Sequence, residues 1–480
     1  MNIALVFSTL GKLLIIQSVL ELPALGVSFI FSDGCHWAFI LSILCVLGAG
    51  LPLVLLIRPR SKTLYTRDSM AVAGLSWIAI SFFGSLPLVF SRVCGSADAF
   101  FEIASGFTTT GATIFSNVEI LPQSITFWRC FTHWVGGMGV LVLTTALLPS
   151  SSGTGSRLAK AESAGPSFSK LMPKLVDNSK VLYIIYAALT LVLAIALRIA
   201  GMDTFDSILH AFSTAGTGGF SNRAASIGYY GSLPIELICG GFMLLFGLNF
   251  AVYFKVLAGD FKGAFKNEEL WTFLGVCGVS ILLIALNISS ISGGFANGLR
   301  QSFFQVSSVV STTGFSSADF DVWPVFSKIM LLLIMLAGSC AGSTAGGLKM
   351  IRVILLAKLF GRELGKSFMP RKVKVIKLDG KPVPEEMLSQ ISVYFFVYVV
   401  IAIAGVVTLS LCGCDVAESV SGSIACVSNI GPGFGRLGPM GGFGWLPPAG
   451  KVIMALIMLA GRLEFYPMLM LLVPASWRKN

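Results

Sequence analysis

Apolar residues in this chain come in long unbroken runs, not in the alternation of a half-buried surface. Uncharged runs at Trp37–Ile57, Ala71–Ser91, Leu237–Phe254, Leu270–Leu299 and Met387–Gly413 approach or exceed the roughly 20 apolar residues that a membrane crossing takes. Between them lie four shorter and more polar stretches of helical character: Ala97–Thr108, Thr204–Ser213, Gly298–Ser311 and Asp415–Ser428. Each is too short to span, and each is flanked by two runs that can. The predicted unit is therefore a span, a short re-entrant helix, a loop and a second span, present four times. Two further spans, about Ile3–Phe31 and Trp37–Ile57, precede the first unit. The first has no basic start and no small-residue cleavage site, so it reads as a retained span and not a signal peptide.

Each short helix runs into a similar motif: Phe107–Ala112 (FTTTGA), Phe212–Thr217 (FSTAGT), Val310–Phe315 (VSTTGF) and Val427–Pro432 (VSNIGP). The shared pattern is apolar, Ser or Thr, a second small polar residue, any residue, then glycine, at Gly111, Gly216, Gly314 and Gly431. One such triplet would be an ordinary turn. Four, each behind a short helix and between spans, form an internal repeat. The expected fold is an all-α polytopic membrane protein with four pseudo-fourfold units. The segments are 1–68 for the two leading helices, 69–179, 180–268 and 269–386 for the first three repeats, and 387–480 for the fourth.

Composition strengthens this reading. Hydrophobic residues make up 55% of the chain, charged residues only 12%, and mean hydropathy is +0.84. A soluble domain carries about 25% charge. The net charge of +11 is not a nucleic-acid signal, because the basic residues crowd into Arg58–Arg67, Arg157–Lys180, Lys255–Lys266 and Arg352–Lys381. Acids cluster in the alternate segments, at Asp33, Asp98, Glu102, Glu119, Asp203, Asp206, Asp319, Asp321, Asp415 and Glu418. Basic loops mark the cytoplasmic side. The even number of spans then puts both termini there, with the acids facing out. The ten cysteines show no zinc or disulfide framework and read as buried thiols.

Irregular backbone at membrane depth is tolerated only around a watery cavity, because lipid cannot satisfy its N–H and C=O groups. Four such loops in one chain imply one shared axis. A ring of carbonyls can replace the hydration shell of a monovalent cation. Glycine turns carbonyls inward without a Cβ penalty, and each short helix aims its negative dipole end at the loop. Outer acids would concentrate cations at the mouth.

At these residues the sequence resembles the Trk/Ktr/HKT superfamily of K⁺ transporters, in particular its bacterial TrkH branch. The likeness extends to Arg129 with His133–Gly139 (HWVGGMG), Ala215–Ser221 (AGTGGFS), Ala337–Lys349 (AGSCAGSTAGGLK), Asn429–Gly435 (NIGPGFG) and Gly461–Glu464 (GRLE). The resemblance implies a K⁺ uptake subunit of the bacterial inner membrane, a transporter and not an enzyme. It implies a homodimer with one pore per protomer and a cytosolic TrkA-like ring that binds nucleotides. It assigns the K⁺ filter to the backbone of Thr109, Thr110 and Gly111; Thr214, Ala215 and Gly216; Thr312, Thr313 and Gly314; and Asn429, Ile430 and Gly431. Relatives that favour Na⁺ carry Ser at the first glycine, so Gly111 points to K⁺. No cofactor is expected beyond the transported ion.

Two gating elements follow. A span dense in Gly, Ala and Ser over Leu336–Leu348 should break in its middle, or else serve as a small-residue packing face. The resemblance makes Gly342, Ser343, Thr344, Ala345, Gly346 and Gly347 an intramembrane loop that blocks the pore beneath the filter. Arg462 interrupts the last span, and a charge at that depth faces a cavity or a partner. It either pairs with an acid such as Glu464 or, as the resemblance implies, forms an electrostatic barrier below the filter. Lys349 either closes the loop or snorkels to the interface. His133 reads as a packing or hydrogen-bonding residue.

The basic segment Arg352–Pro384 contains a hairpin signal at Asp379-Gly380. It suits a soluble partner, anionic membrane lipid, or a solvated loop that only sets topology. A K⁺/H⁺ or K⁺/Na⁺ symporter is the alternative, with Glu21, Glu236 and Glu464 as its few intramembrane acids. A membrane enzyme lacks the constellation it needs, since the three histidines are scattered.

Overall fold

The computed structural model describes residues 1–57, 59, 65–139, 179–371 and 374–477. Helices α1 (Ile3–Leu20) and α2 (Leu22–Phe31) are joined at Glu21 and lead into α3 (His36–Leu55). Glycines set how closely α1 and α3 cross. A Cβ on Gly11 would sit 2.8 Å from the Gly50 carbonyl oxygen, and one on Gly50 would sit 3.0 Å from the Gly11 oxygen. Apolar faces gain little from meeting in lipid, so such close backbone approach is what holds the pair.

The first repeat consists of α4 (Thr66–Gly84), α5 (Leu86–Phe90), the re-entrant α6 (Ser96–Phe107) and α7 (Gln123–Gly137). The second has α8 (Ser179–Ile199), the re-entrant α9 (Thr204–Ala215), α10 (Leu233–Gly247), α11 (Phe250–Leu257) and the short α12 (Phe261–Phe265). The third has α13 (Glu268–Ile288), the re-entrant α14 (Phe295–Val310), α15 (Val325–Ala337) and α16 (Met350–Phe368). A hairpin of β1 (Lys377–Leu378) and β2 (Lys381–Pro382) follows. The fourth repeat has α17 (Glu385–Leu411), the re-entrant α18 (Val416–Val427), α19 (Pro448–Arg462) and α20 (Tyr466–Leu472).

The four re-entrant helices fall where the polar, short stretches placed them, and their inner turns are buried. The second helices of the repeats depart from expectation. None is a continuous span among the described residues. α7, α10 and α19 have 15 residues and α15 has 13. At 1.5 Å per residue that is about 20–23 Å, short of the ~30 Å hydrocarbon core. The uncharged run Leu237–Phe254 is bent by 90° between α10 and α11. Asn249 makes this bend by accepting a hydrogen bond from the Ala251 N–H at 2.9 Å. Six described helices or helix runs are long and apolar enough to cross a membrane alone. The basic segment Arg157–Lys180 lies almost wholly outside the described residues.

The Asp379-Gly380 turn is present, with both residues at positive φ (49° and 78°) and Leu378 paired to Lys381. Ile376, Leu378 and Val383 turn inward onto Met387, Leu388 and Ile391, while Lys374, Lys377 and Lys381 face out.

Candidate functional site

Each re-entrant helix ends in the same way. After α6, the Thr109 N–H donates to the Gly106 carbonyl at 3.1 Å and the Thr110 N–H donates to Ser105 at 2.9 Å. After α9, Thr217 donates to Thr214 at 3.0 Å and Gly218 to Ser213 at 2.8 Å. After α14, Thr312 donates to Val309 at 3.1 Å and Thr313 to Ser308 at 2.9 Å; after α18, Asn429 donates to Cys426 at 3.3 Å and Ile430 to Ala425 at 2.8 Å. This pair of bonds is the Schellman cap, which needs a left-handed residue just past the helix. Thr109, Thr217, Thr312 and Asn429 occupy it, with φ of 55–56°. A β-branched residue is strained there, and such strain clusters at functional sites. Two residues on, Gly111, Gly219, Gly314 and Gly431 have φ of 79°, 82°, 84° and 101°.

The second loop is therefore Thr217, Gly218 and Gly219, three residues later than expected. Thr214 and Ala215 lie in the last turn of α9, and Gly216 is its right-handed C-cap at φ −68°. The tripeptide spacing Thr214–Gly216 imitates the other loops, but the helix runs one turn further. The other three loops stand at Thr109–Gly111, Thr312–Gly314 and Asn429–Gly431, as expected.

The four loops meet. A Cβ placed on Gly111 would collide with the carbonyl oxygen of Gly218. One on Gly219 would collide with that of Thr313, one on Gly314 with that of Ile430, and one on Gly431 would lie 2.6 Å from that of Thr110. The contacts run from the first repeat to the second, third and fourth and back to the first. They close a ring. The four glycines line one shared pocket, with Phe115, Arg129 and Phe443 further along its wall. Side chains stiffen the ring: Asn429 donates to Thr110 Oγ1 at 2.9 Å and to the Met458 carbonyl at 3.0 Å. Thr110 and Thr313 share hydrogen bonds with Thr108 and Ser311 at 2.8 and 2.7 Å.

His133 belongs to this site, although its residue type gave no hint of it. Its Nε2 accepts the Phe220 N–H at 3.2 Å, so its Nδ1 carries the proton and donates to the Gly106 carbonyl at 2.7 Å. The ring fills the space a side chain at Gly218 would need, which accounts for Gly218 where the first and third loops have Thr. The signal open to sequence reading was the helix cap, Gly-Thr-Gly-Gly at 216–219.

The outer acids are not free charges. Glu102 receives Arg129 at 2.7 Å, and also the Thr113 hydroxyl and the Ile114 N–H. Asp206 pairs with Arg223 at 3.0 Å, Asp98 with Lys451 at 2.5 Å and Glu418 with Arg436 at 2.8 Å. Glu102, Asp206 and Glu418 tie the first, second and fourth re-entrant helices to the segments that follow them, and Asp98 ties α6 to α19. On the outer rim, hydrogen bonds from Arg436 hold the Glu418 carboxyl to about 2, so it stays charged.

The expected break occupies Gly338–Lys349 between α15 and α16. Gly338, Gly342, Gly347 and Lys349 all have positive φ (66–79°). The loop runs against the helix side of the ring. The Gly346 N–H donates to Thr312 Oγ1 at 2.8 Å, and a Cβ there would strike the Ser428 carbonyl. Ser343 bonds back to Cys340 at 2.7 Å, Thr344 reaches the Phe246 carbonyl at 3.3 Å, and buried Ala345 accepts from Lys349. Lys349 thus folds onto the loop and does not reach for the interface. Arg462 donates to the Thr344 carbonyl at 2.7 Å and to Gly136 and Gly137 at 2.7 and 2.8 Å. Glu464 receives Arg352 at 2.6 Å, so the acid near Arg462 has another partner. No group of His, Cys, Asp and Glu among the described residues could hold a metal ion.

Fold and site together define a polytopic membrane protein with four re-entrant loops closed into one ring. A family model for TrkH, described as a cation transport protein, matches residues 38–479. The Trk system potassium uptake protein TrkH of Halomonas elongata is 35% identical, over all of both chains. The one from Salmonella typhimurium is 37% identical over 98% of each. The crystal structure of the potassium transporter TrkH from Vibrio parahaemolyticus superposes with a TM-score of 0.89 at 32% identity, covering both chains fully. The chain belongs to the TrkH family, a family of transporters and not enzymes.

Proposed function

We propose that this chain takes up K⁺ by channel-like conduction through the ring at Thr109–Gly111, Thr217–Gly219, Thr312–Gly314 and Asn429–Gly431. The closed cycle of glycine-to-carbonyl approaches carries the reading. Backbone oxygens packed around one axis can stand in for water around a dehydrated monovalent ion, and the re-entrant helices add negative dipole ends behind them. Thr109 Oγ1, buried and without a protein partner, is free to meet water or the ion.

Gly342–Gly347 act as the gate, and Arg462 holds it while placing a positive charge below the filter. The protein sits in the bacterial inner membrane with both termini cytoplasmic. It works as a homodimer with a TrkA-like nucleotide-binding ring. Channel-like flux is favoured over symport because Glu236 and Glu464 are spent on Arg300 and Arg352 and Glu21 lies away from the ring, where α1 meets α2.

Radioactive rubidium uptake by proteoliposomes, with and without an imposed proton gradient and against competing Na⁺, tests the reading. Uptake should follow the rubidium gradient alone and resist Na⁺. Uptake that requires the proton gradient would replace the channel reading with symport.

A further inference from the structure

Glu269 has no part in the ring, yet its carboxylate grips both ends of the gate loop. It is the second residue of α13 and 2% exposed. Its Oε1 accepts the Ala341 N–H at 2.7 Å and the Ile351 N–H at 3.1 Å. Those two residues bracket Gly342–Met350. Ile351 lies in the first turn of α16, where N–H groups lack helical partners and a negative charge is favoured. One oxygen atom thus caps α16 from another element and fixes the start of the loop.

The adjoining residue, Glu268, faces the cytoplasmic hairpin. Its N–H, another first-turn donor, is capped by Asp379 Oδ1 at the hairpin tip, at 2.7 Å. Its carboxylate pairs with Lys358 of α16 at 2.5 Å, and Lys358 donates to the Lys377 carbonyl at 2.9 Å. Ile376 and Leu378 of the hairpin share one apolar cluster with Cys340, Met350 and Ile351 at the ends of the loop. Two consecutive residues of one helix terminus therefore hold the hairpin and the gate.

We infer that Glu269 is the positioning residue that keeps the gate loop under the filter, and that the Asp379 hairpin contact sets where Glu269 stands. The inference rests on the gate assigned above. A shift of the hairpin would move the α13 terminus, slacken the two loop bonds, and let Gly346 leave Thr312. The device is distinct from Arg462, which grips the loop at its middle.

The test is basal rubidium flux through the full-length chain in proteoliposomes at matched protein density. Glu269→Gln keeps the shape and removes the charge that strengthens both bonds, so flux should rise roughly tenfold. Asp379→Gly keeps the turn's positive φ but removes the cap, and should raise flux by a smaller factor, about threefold. The double variant should conduct no more than Glu269→Gln alone, because both changes act on one linkage. The K⁺/Na⁺ selectivity should stay at the wild-type value in all three; general damage would lower flux and selectivity together. Wild-type flux in Glu269→Gln, or a double variant that multiplies the single effects, overturns the inference. If Glu269→Gln does not fold, wild-type flux in Asp379→Gly overturns it. A variant shortened within Gly338–Gly347 separates the two levels. If shortening raises flux and neither point variant does, this inference falls and the gate stands. If shortening does nothing, both fall.

Discussion

The four loops of the ring and the single loop Gly338–Lys349 lie against each other and are built on opposite plans. Each filter loop repeats the same two backbone bonds, the same left-handed cap and the same glycine two residues later. Each is braced by a neighbour of the same kind around a closed ring. The gate loop has no copy. Its contacts come from unlike elements: Thr312, Arg462, Glu269 and the α10–α11 bend, where Phe246 and Gly247 accept from Thr344, Cys340 and Ser339 and Phe250 donates to Gly342. The ring is over-determined, since displacing one loop disturbs two others. The gate is held by a few single bonds, each separately breakable, and its glycines tolerate more than one path. Repetition suits a structure that must keep one geometry for selectivity. Dependence on a few unlike bonds suits one that must move.

The largest effect should come from breaking the ring. Gly219→Ser places a side chain against the Thr313 carbonyl at φ 82°, and Gly111→Ser does the same against Gly218. Either should lower K⁺-over-Na⁺ selectivity, on the order of a hundredfold given strain of this kind at two atoms, read as reversal potentials in proteoliposomes. Gly216→Ser is the sharpening control. Its Cβ meets the His133 backbone, behind the filter, so it should cost folded protein without changing the selectivity of what folds. Lost selectivity in Gly216→Ser and retained selectivity in Gly219→Ser would put the filter back at Thr214–Gly216.

That pair of variants marks where sequence reading stopped. The re-entrant helices were legible because short polar stretches between apolar runs have few other uses in a membrane. The break after Ala337 was legible because glycines at 338, 342, 346 and 347 cannot hold a lipid-facing helix. The second loop's register was not legible from the Ser/Thr–Gly pattern, because α9 ends one turn later and the left-handed cap falls on Thr217. The bends in the second helices were hidden, since an uncharged run such as Leu237–Phe254 does not reveal that Asn249 recaps it. Asp98 looked free because its partner is remote in sequence: Lys451 answers it from the far end of the chain.

The gate should yield next. Shortening within Gly338–Gly347 should raise basal rubidium flux roughly tenfold, the size expected from losing one or two bonds to charged groups, while selectivity stays at the wild-type value because the ring loops keep their own caps and mutual contacts. Equal or lower flux at matched protein density would remove the functional contrast between the two regions. Arg462→Ala should have a smaller effect. It releases one gate carbonyl, Thr344, and two carbonyls of α7, but leaves the Glu269 grip and the Gly346 bond in place. A rise of about threefold is expected, again by flux at matched density. No rise would mean that the loop does not depend on its middle contact.

The smallest effect should come from the outer rim, where Glu418 and Arg436 stabilise a filter loop without touching the passage. Arg436 is half exposed, at 52%, so solvent screens the pair and its contribution is small. Glu418→Gln should therefore leave flux and selectivity unchanged and lower thermal stability slightly at neutral pH. The sign of the pH dependence follows from the direction of the shift. A carboxyl held to about 2 in the folded protein, below its ordinary 4.5, contributes its full stabilisation above about 4.5. It loses that stabilisation as pH falls through about 2. The difference in unfolding temperature between wild type and Glu418→Gln should thus be constant from neutral pH to about 4.5 and vanish towards 2. A difference that persists at pH 2 would mean that Glu418 acts through its shape and backbone caps, not its charge. A change in selectivity would mean that the rim and the ring are one mechanical unit, and the fixed ring would then extend to the outer surface.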